Sequence, residues 1–305
     1  MSSLGAGQAW QVRGAVRRVV PSTLSGAHLV SVGNLAADTD WSVALNGVNA
    51  VVHTAARVHI MHDRGAEPID EYRRINVIST LALARQAVAA GVRRFVFLSS
   101  IKVNGESTPL DRPFSADDPP KPNDAYAISK HEAEEGLRKL GRETGLEVVI
   151  VRPVLVYGPG VRANFLSMMR WVDRGLPLPF GAIRNARSLV ALDNLVDLVK
   201  TCLHHPAAPN HTFLVSDGED LSTPELLRRT GAAMGRQARL MPVPEVVLRS
   251  AATILGKAGV GERLCGSLRV DIGKTQRLLG WSPPVSVDEA LERTARYFLD
   301  EKGER

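Results

Sequence analysis

The first half of the chain alternates short apolar segments with long helical segments, and no other feature limits the possible folds as strongly. Helices are predicted over residues 70–90 and 124–144, each followed by a glycine, Gly91 and Gly145. Strands are predicted over residues 11–16, 28–32, 49–54, 95–99 and 147–152. Regular alternation of this kind indicates a parallel sheet whose two faces are covered by helices. The predicted fold class is therefore α/β, with a doubly wound parallel sheet.

After residue 155 the pattern becomes less regular and predicts a smaller, mixed domain. Helices are predicted over residues 164–173, 192–204 and 287–299, and a strand over residues 211–215. Another helix should begin at Ser222-Thr223-Pro224-Glu225, because this spacing allows a capping box with proline in the first turn.

Composition excludes several classes of protein. The 305 residues are 44% hydrophobic and 23% charged, as in ordinary globular proteins. Cys202 and Cys265 form neither a disulfide framework nor a metal-binding pattern, so we expect a cytoplasmic protein without a metal site. No apolar run is long enough to span a bilayer. The net charge of +6 comes from scattered basic residues without interleaved aromatic residues, which argues against nucleic-acid binding.

Ser100, Tyr126 and Lys130 are the candidate catalytic residues. Ser100 follows the strand predicted over residues 95–99, and Tyr126 and Lys130 lie four residues apart on one face of a helix. A positive charge beside a phenol, whose ordinary pKa is about 10, favours the phenolate. A nearby serine hydroxyl could hydrogen-bond the same substrate oxygen. The set suits removal of a proton from an alcohol, or its return to a ketone, while a hydride moves.

This arrangement resembles the extended branch of the short-chain dehydrogenase/reductase superfamily, the NAD-dependent epimerase/dehydratase family. The resemblance covers nearly the whole chain from about residue 11. It implies a Rossmann-like dinucleotide-binding domain over residues 1–155, to which residues 188–216 return, and a smaller substrate-binding domain over residues 156–305. It also implies NAD or NADP as cofactor and a UDP-linked sugar as substrate.

The resemblance assigns further residues to the cofactor. Thr54, Ala55 and Ala56 match a strand end where small side chains let the dinucleotide approach. Asn76 matches an asparagine that supports the active-site backbone. Asn34 occupies a position where aspartate commonly contacts adenine, and Leu35 follows it. Pro153 matches a residue whose backbone approaches the nicotinamide. Ser99, Tyr126 and Lys130 complete this predicted set.

Arg17 bears on the choice of dinucleotide. An acidic residue at the end of the second strand of such folds usually binds the ribose hydroxyls of NAD, whereas arginine accommodates the phosphate of NADP. Arg17 therefore favours NADP, while the family as a whole favours NAD, and both remain open.

Substrate binding is assigned to Ser100, Lys102, Asn164 and Arg187. The last two resemble the family's diphosphate contacts, and a guanidinium is a natural phosphate partner. Lys102 would share the face of Ser100 if the strand continued; a salt-bridged surface lysine is the alternative. Related 4,6-dehydratases have an Asp-Glu pair where this chain has Ile101 and Lys102, so dehydration is disfavoured.

The largest departure from the family is at the N-terminus. The family begins with a strand and a Gly-x-x-Gly-x-x-Gly turn that holds the pyrophosphate, and no such turn precedes residue 11. Because the first strand is central in the usual order, its absence should leave two separate pieces of sheet. A misplaced start site, a shortened chain and a degenerate protein are all possible explanations.

The expected function is a 4-epimerase acting on a UDP-hexose or UDP-N-acetylhexosamine for surface polysaccharide synthesis. The alternatives are an NADPH-dependent 4-keto nucleotide-sugar reductase and a catalytically inactive Rossmann-like binding protein. The two long helices resemble those that form a four-helix bundle between subunits in the family, so a homodimer is predicted.

Overall fold

The computed structural model describes residues 10–18, 26–58, 69–254, 256 and 258–303. The strands are β1 (Val12–Val16), β2 (Ala27–Ser31), β3 (Ala50–His53), β4 (Arg94–Leu98), β5 (Glu147–Pro153), β6 (Leu155–Tyr157), β7 (Arg187–Ala191), β8 (Thr212–Val215) and β9 (Asp220–Leu221). The helices are α1 (Ser42–Leu45), α2 (Ile69–Tyr72), α3 (Ser79–Ala89), α4 (Ala125–Thr144), α5 (Ala163–Asp173), α6 (Leu192–His204), α7 (Thr223–Ala233), α8 (Glu245–Ile254), α9 (Ala258–Cys265), α10 (Gly273–Leu279) and α11 (Val287–Gly303). A π-helical turn (Arg73–Ile78) joins α2 to α3, and a 3-10 turn (Ile101–Val103) follows β4.

The central sheet contains four parallel strands in the order β3-β4-β5-β8. Its strands are apolar on both faces because helices cover both sides. Phe95 and Phe97 of β4 pack in one cluster with residues of α3 and α4, whereas Val96 packs on the other side with residues of α6. This alternation follows from the two-residue repeat of a strand. The expected parallel α/β fold is confirmed.

β1 and β2 form a separate parallel pair, with Val12 opposite Ala27. Within the described ranges, no strand joins this pair to the central sheet, so the predicted division into two pieces of sheet is found there. The pair is nevertheless attached to the core. Val30 and Leu35 pack against the cluster of β4, α3 and α4, and the Arg13 guanidinium donates to the carbonyl of Asn46 at 2.7 Å.

The second half builds a three-stranded sheet in the order β6-β7-β9, with β9 antiparallel to β7. Residues of α5, α7 and α11 share a second apolar cluster with this sheet. β8 returns to the central sheet beside β5, and α6 packs on that sheet. β7, in contrast, pairs within the smaller sheet, so only part of residues 188–216 lies on the central sheet. The domain boundary near residue 155 stays a prediction.

Capping residues determine both ends of α4, the helix that carries Tyr126 and Lys130. The Asp124 carboxylate accepts a hydrogen bond from the Ala127 amide at 2.7 Å, so α4 begins immediately before Tyr126. Gly145 ends the helix with φ of 78°, a left-handed conformation that favours glycine. The Ser222 hydroxyl likewise accepts from the Glu225 amide at 3.3 Å at the start of α7. The helix predicted over residues 70–90 is interrupted by the π-helical turn.

Among the described residues, no helix has both the length and the apolar character needed to cross a bilayer. In the same part of the chain, no group of three or more metal-binding side chains is assembled.

Candidate active site

Ser100 and Tyr126 come together at the carboxyl end of the central sheet. Ser100 directly precedes the 3-10 turn after β4 and has extended backbone. Tyr126 lies in the first turn of α4, and Ser100 is near enough to its phenol to lower the pKa of that group. The Tyr72 ring lies edge-on to the Tyr126 ring, with centroids 6.5 Å apart. A substrate oxygen could therefore meet both hydroxyls at once.

Lys130 lies one helical turn after Tyr126 and is 2% exposed. Its Nζ atom lies 4.0 Å from the centre of the Phe97 ring, over the face of the ring, where a cation is attracted to the aromatic system. Burial lowers the pKa of Lys130 to about 7, although the Glu134 carboxylate acts in the opposite direction.

The expected lowering of the Tyr126 pKa is not found. Burial raises the pKa of Tyr126 to about 12, the hydrogen bond to Ser100 opposes this rise, and the Asp124 carboxylate adds to it. Desolvation therefore dominates over charge stabilisation at the phenol. The sequence argument placed a fully charged ammonium beside Tyr126, whereas the buried Lys130 amine lies over Phe97 and is itself easily deprotonated.

A polar network that the sequence analysis did not identify lies beneath the catalytic residues. Arg152 of β5 binds Glu134 of α4 through two hydrogen bonds, at 2.9 and 2.5 Å. The Ser99 hydroxyl donates to Glu134 at 2.5 Å, and Arg152 also donates to the Asn104 side chain at 2.9 Å. Ser99 was assigned to the cofactor, but its buried hydroxyl is engaged by Glu134. The spacing of Tyr126, Lys130 and Glu134 was the available signal, because it places all three on one helical face.

Thr54, Ala55 and Ala56 follow β3 at the same edge of the sheet. Thr54 and Ala55 are exposed, and Ala56 is half-buried. Asn76, in the π-helical turn, fixes the backbone of Arg57, the residue after Ala56. The Asn76 side chain accepts from the Arg57 amide at 2.7 Å and donates to the Arg57 carbonyl at 3.0 Å. The same amide donates to the Ser129 hydroxyl at 3.0 Å, which connects this segment to α4.

The other residues assigned to the cofactor lie at the ends of neighbouring strands. Arg17 is exposed after β1. Asn34 is exposed after β2, where its carbonyl accepts from the Thr39 hydroxyl at 2.9 Å, and Leu35 packs into the core. Pro153 is the last residue of β5. Arg17 and Asn34 therefore belong to the separate two-stranded sheet.

The residues assigned to substrate differ in their surroundings. Lys102 forms ion pairs with Asp124 and Glu106. β4 ends at Leu98 and Lys102 lies in a 3-10 turn, so the expectation that it continues the strand face of Ser100 is wrong. Asn164 is exposed at the start of α5. The half-buried Arg187 donates to the Gly266 carbonyl at 3.0 Å.

These residues fit the nicotinamide end of a dinucleotide. Exposed small side chains at Thr54 and Ala55, a buried amine at Lys130 and two hydroxyls at Ser100 and Tyr126 surround the carboxyl edge of the sheet, where such folds bind ligands. The pyrophosphate end is different, because the sequence has no Gly-x-x-Gly-x-x-Gly turn.

A parallel, doubly wound sheet with serine, tyrosine and lysine at its carboxyl edge defines an oxidoreductase site of the short-chain dehydrogenase/reductase type. The chain matches the NAD dependent epimerase/dehydratase family over residues 5–216, and it belongs to that family. These features and the similarities below support an NAD-dependent, nucleotide-sugar epimerase of the extended type.

A protein of Vibrio cholerae named UDP-glucose 4-epimerase is 47% identical over 289 residues, which cover 94% of this chain and 88% of the relative. A protein of Escherichia coli O157:H7 named N-acetyl-alpha-D-glucosaminyl-diphospho-ditrans,octacis-undecaprenol 4-epimerase is 23% identical over 286 residues, covering 88% and 83%. The solved structure of UDP-glucuronic acid 4-epimerase from Bacillus cereus with NAD has a TM-score of 0.76 at 19% identity, covering 98% of this chain and 95% of the other. This last similarity shows the fold.

Proposed function

We propose that this protein epimerises C4 of a UDP-linked hexose or N-acetylhexosamine. The observation that carries the proposal is the placement of the Tyr126 phenol beside Ser100, one helical turn from the buried amine of Lys130. The similarity to the Vibrio cholerae relative supports this substrate class.

Each catalytic residue has a defined part in the proposed reaction. Tyr126 takes the proton of the sugar 4-hydroxyl, and Ser100 holds the same oxygen by a hydrogen bond. Lys130, when protonated, favours the phenolate form of Tyr126. A nicotinamide dinucleotide, when bound, would supply both the uptake of the C4 hydride and its return to the other face of the 4-keto sugar. Tyr126 then returns its proton when the 4-keto sugar has turned its opposite face to the cofactor.

The other residues assigned from the sequence have proposed roles in binding the cofactor and the substrate. Thr54, Ala55, Ala56, Asn76 and Pro153 would line the nicotinamide end of the cofactor. Arg17, Asn34 and Leu35 would line its adenosine end, and Asn164 and Arg187 would contact the substrate diphosphate. Calorimetric titration with NAD and with NADPH would decide which dinucleotide is preferred.

A reductase is the second candidate for the same residues. It would return a proton and a hydride to a 4-keto sugar in one direction, with NADPH consumed in each turnover. The Arg17 side chain at the end of β1 favours this candidate, because arginine suits the phosphate of NADP. A Rossmann-like binding protein without activity is the third candidate.

A lipid-linked sugar is a second candidate substrate. The name of the Escherichia coli relative describes a sugar joined through diphosphate to undecaprenol. Such a molecule presents a hexose and a diphosphate, as a UDP-sugar does. The apolar surface of α8, described below, favours this candidate.

We also propose a cytoplasmic homodimer that pairs through α3 and α4. The long helix α4 and the preceding α3 pack on each other, as in the resemblance that motivated the prediction. Light scattering at micromolar concentration tests this, and a monomer would refute it.

The activity is tested by interconversion of UDP-glucose and UDP-galactose, and of their N-acetylated forms, with NAD present. The Tyr126→Phe variant should lose about 100-fold or more of the rate, because it removes the proton-transferring group. Tyr297→Phe, at a tyrosine that is 41% exposed, is the matched control and should retain the native rate. Stoichiometric consumption of NADPH with a 4-keto sugar would favour the reductase. Absence of dinucleotide binding by the folded chain would favour the inactive protein.

A further inference from the structure

α8 carries an apolar stripe that nothing in the described structure covers. Val247, Ala251 and Ile254 occupy positions i, i+4 and i+7, so they lie along one face of the helix. Val247 is 53% exposed and Ile254 is 84% exposed, and none of the residues of α8 is buried. A helix with an apolar face normally buries it against a partner.

The opposite side of α8 is already in use. Gly261 of α9 approaches so closely that a Cβ atom at this position would lie 2.9 Å from the Ala252 Cβ atom. Ala252 and Leu248 lie on this side, and both are half-buried. The exposed stripe is therefore the outward face of a helix pair.

The apolar region continues beyond α8 into the segment before it and onto α5. The Met241 carbonyl accepts from the Gly181 amide at 2.9 Å, and the Glu245 carboxylate accepts from the Arg184 amide at 2.8 Å. These bonds join the start of α8 to the loop that follows α5. That loop and α5 form a shallow depression lined by Trp171, Leu176, Pro177, Leu178 and Phe180. We define the α8 surface as Trp171, Leu176, Met241, Val246, Val247 and Ile254.

Exposed arginines are numerous in the two segments that carry the α8 surface. Residues 163–184 and 236–254 contain six arginines, all of them exposed, and two acidic residues. The arginines are Arg170, Arg174, Arg184, Arg236, Arg239 and Arg249. The first acid, Asp173, forms ion pairs with Arg236 and Lys302, and the second, Glu245, accepts from the Arg184 amide. The two segments therefore combine exposed apolar side chains with an excess of positive charge.

We propose that the α8 surface binds the interface of an anionic lipid bilayer. Exposed apolar side chains mixed with arginines are the chemistry of helices that lie in the plane of a membrane surface and are attracted to anionic head groups. α8 has 10 residues, about 15 Å of helix, which is about half of the hydrocarbon core. α8 therefore lies along the interface and does not cross it.

A second copy of the chain fits this surface less well. Pairing of two α8 surfaces about a twofold axis would bring like-charged arginine clusters together, and like charges facing each other disfavour association. An anionic bilayer would bury the apolar stripe and would also attract the arginines to its head groups.

Membrane contact would also hold the substrate side of the molecule near the bilayer. α9 ends next to Gly266, whose carbonyl accepts from both Arg187 and Asn185. The helix pair is thus attached to the residue proposed to contact the substrate diphosphate. The membrane proposal does not depend on the proposed activity, because binding to vesicles is measured without substrate.

The test is co-sedimentation of the full chain with phosphatidylcholine vesicles that contain or lack phosphatidylglycerol. We expect the chain to bind the anionic vesicles, and to bind them about tenfold less when Val247→Asp and Ile254→Asp are combined. Val43→Asp and Leu110→Asp, at side chains that are 67% and 54% exposed elsewhere on the molecule, are the matched controls and should bind like the native chain.

A second variant separates loss of binding from loss of folding. Arg184→Ser combined with Arg239→Ser changes exposed side chains only, and it should weaken binding to anionic vesicles while the thermal unfolding curve stays native. The proposal is overturned if the native chain does not sediment with anionic vesicles, or if the α8 variants bind as well as the controls. It is also overturned if the α8 variants abolish self-association in solution and leave vesicle binding unchanged, because the surface would then be a contact between copies.

Discussion

Glu134 and Arg152 form a buried ion pair: their side chains are 0% and 2% exposed, and their closest atoms are 2.5 Å apart. Glu134 lies on the helix that carries Tyr126 and Lys130, and Arg152 directly precedes Pro153. Because Glu134 also accepts from Ser99, the pair connects α4, β5 and the end of β4. These elements carry the candidate catalytic residues and Pro153, so the ion pair fixes the positions of these residues relative to one another.

Loss of one partner should therefore be costly. We expect Glu134→Gln to lower the free energy of unfolding by about 3–5 kcal/mol, because it leaves the Arg152 charge buried without a counter-charge. Urea unfolding measures the change. Glu135→Gln is the matched control, since the Glu135 side chain on the same helix is 56% exposed, and it should change stability by about 1 kcal/mol or less. Equal effects of the two substitutions would contradict a structural role for the buried pair.

Lys130 should make stability depend on pH in the alkaline range. Its pKa falls from 10.5 to about 7 on folding because of burial. Between these pH values the unfolded chain binds a proton that the folded chain releases, so the free energy of unfolding rises with pH by up to about 1.4 kcal/mol per unit. Lys130→Met removes this dependence. We expect the variant to be more stable than the native chain at pH 7, and the difference to shrink as the pH approaches 10.

Denaturant unfolding at several pH values measures this difference. Lys139→Met is the matched control, because the Lys139 side chain on the same helix is 71% exposed. A stability difference between native and Lys130→Met chains that stays constant from pH 7 to pH 10 would refute the prediction.

His53 should contribute to loss of stability in acid. Burial, with a smaller effect of the Lys130 charge, lowers the pKa of His53 from 6.5 to about 3, and its ring bonds the Thr80 hydroxyl at 2.9 Å. As the pH falls from 6.5 towards 3 the unfolded chain takes up a proton that the folded chain does not, so stability is lost. The His53→Gln variant should lose less stability than the native chain over this window. His28→Gln, on the exposed face of β2, controls for removal of a histidine, and identical acid profiles of the His53→Gln and native chains would count against this assignment.

Lys102 should influence catalysis through Asp124. Its ammonium pairs with the Asp124 carboxylate, and that carboxylate raises the pKa of Tyr126. Lys102→Ala leaves the carboxylate uncompensated, so proton removal by Tyr126 becomes harder. We expect kcat to fall by about threefold to tenfold at neutral pH, with the limb on which the rate rises with pH moved to higher pH. Lys139→Ala serves as the control. Unchanged kinetics for Lys102→Ala would show that the ion pair is only a surface contact.

Short-range patterns in the sequence predicted much of the fold. The start of α4 at Asp124 and its end at Gly145 depend on contacts between residues a few positions apart, so both are visible in the sequence. The same holds for the start of α7 at Ser222. α8 was not predicted, because it lies in a region where the pattern of apolar residues is irregular. The π-helical turn at Arg73–Ile78 was also missed, since no single residue type marks it.

The sequence by itself determined the alternation of strands and helices, the boundaries of the capped helices and the position of Ser100, Tyr126 and Lys130 at the carboxyl edge of the sheet. It also indicated the division of the sheet into two pieces, and among the described residues no strand joins them. Only the tertiary structure decided how the site is charged. The pairing of Glu134 with Arg152, the engagement of Ser99 and the position of the Lys130 amine over Phe97 join residues that are distant in sequence. The pKa shifts of Tyr126, Lys130 and His53 arise mainly from desolvation, which depends on what the whole fold packs around a group and not on its neighbours along the chain.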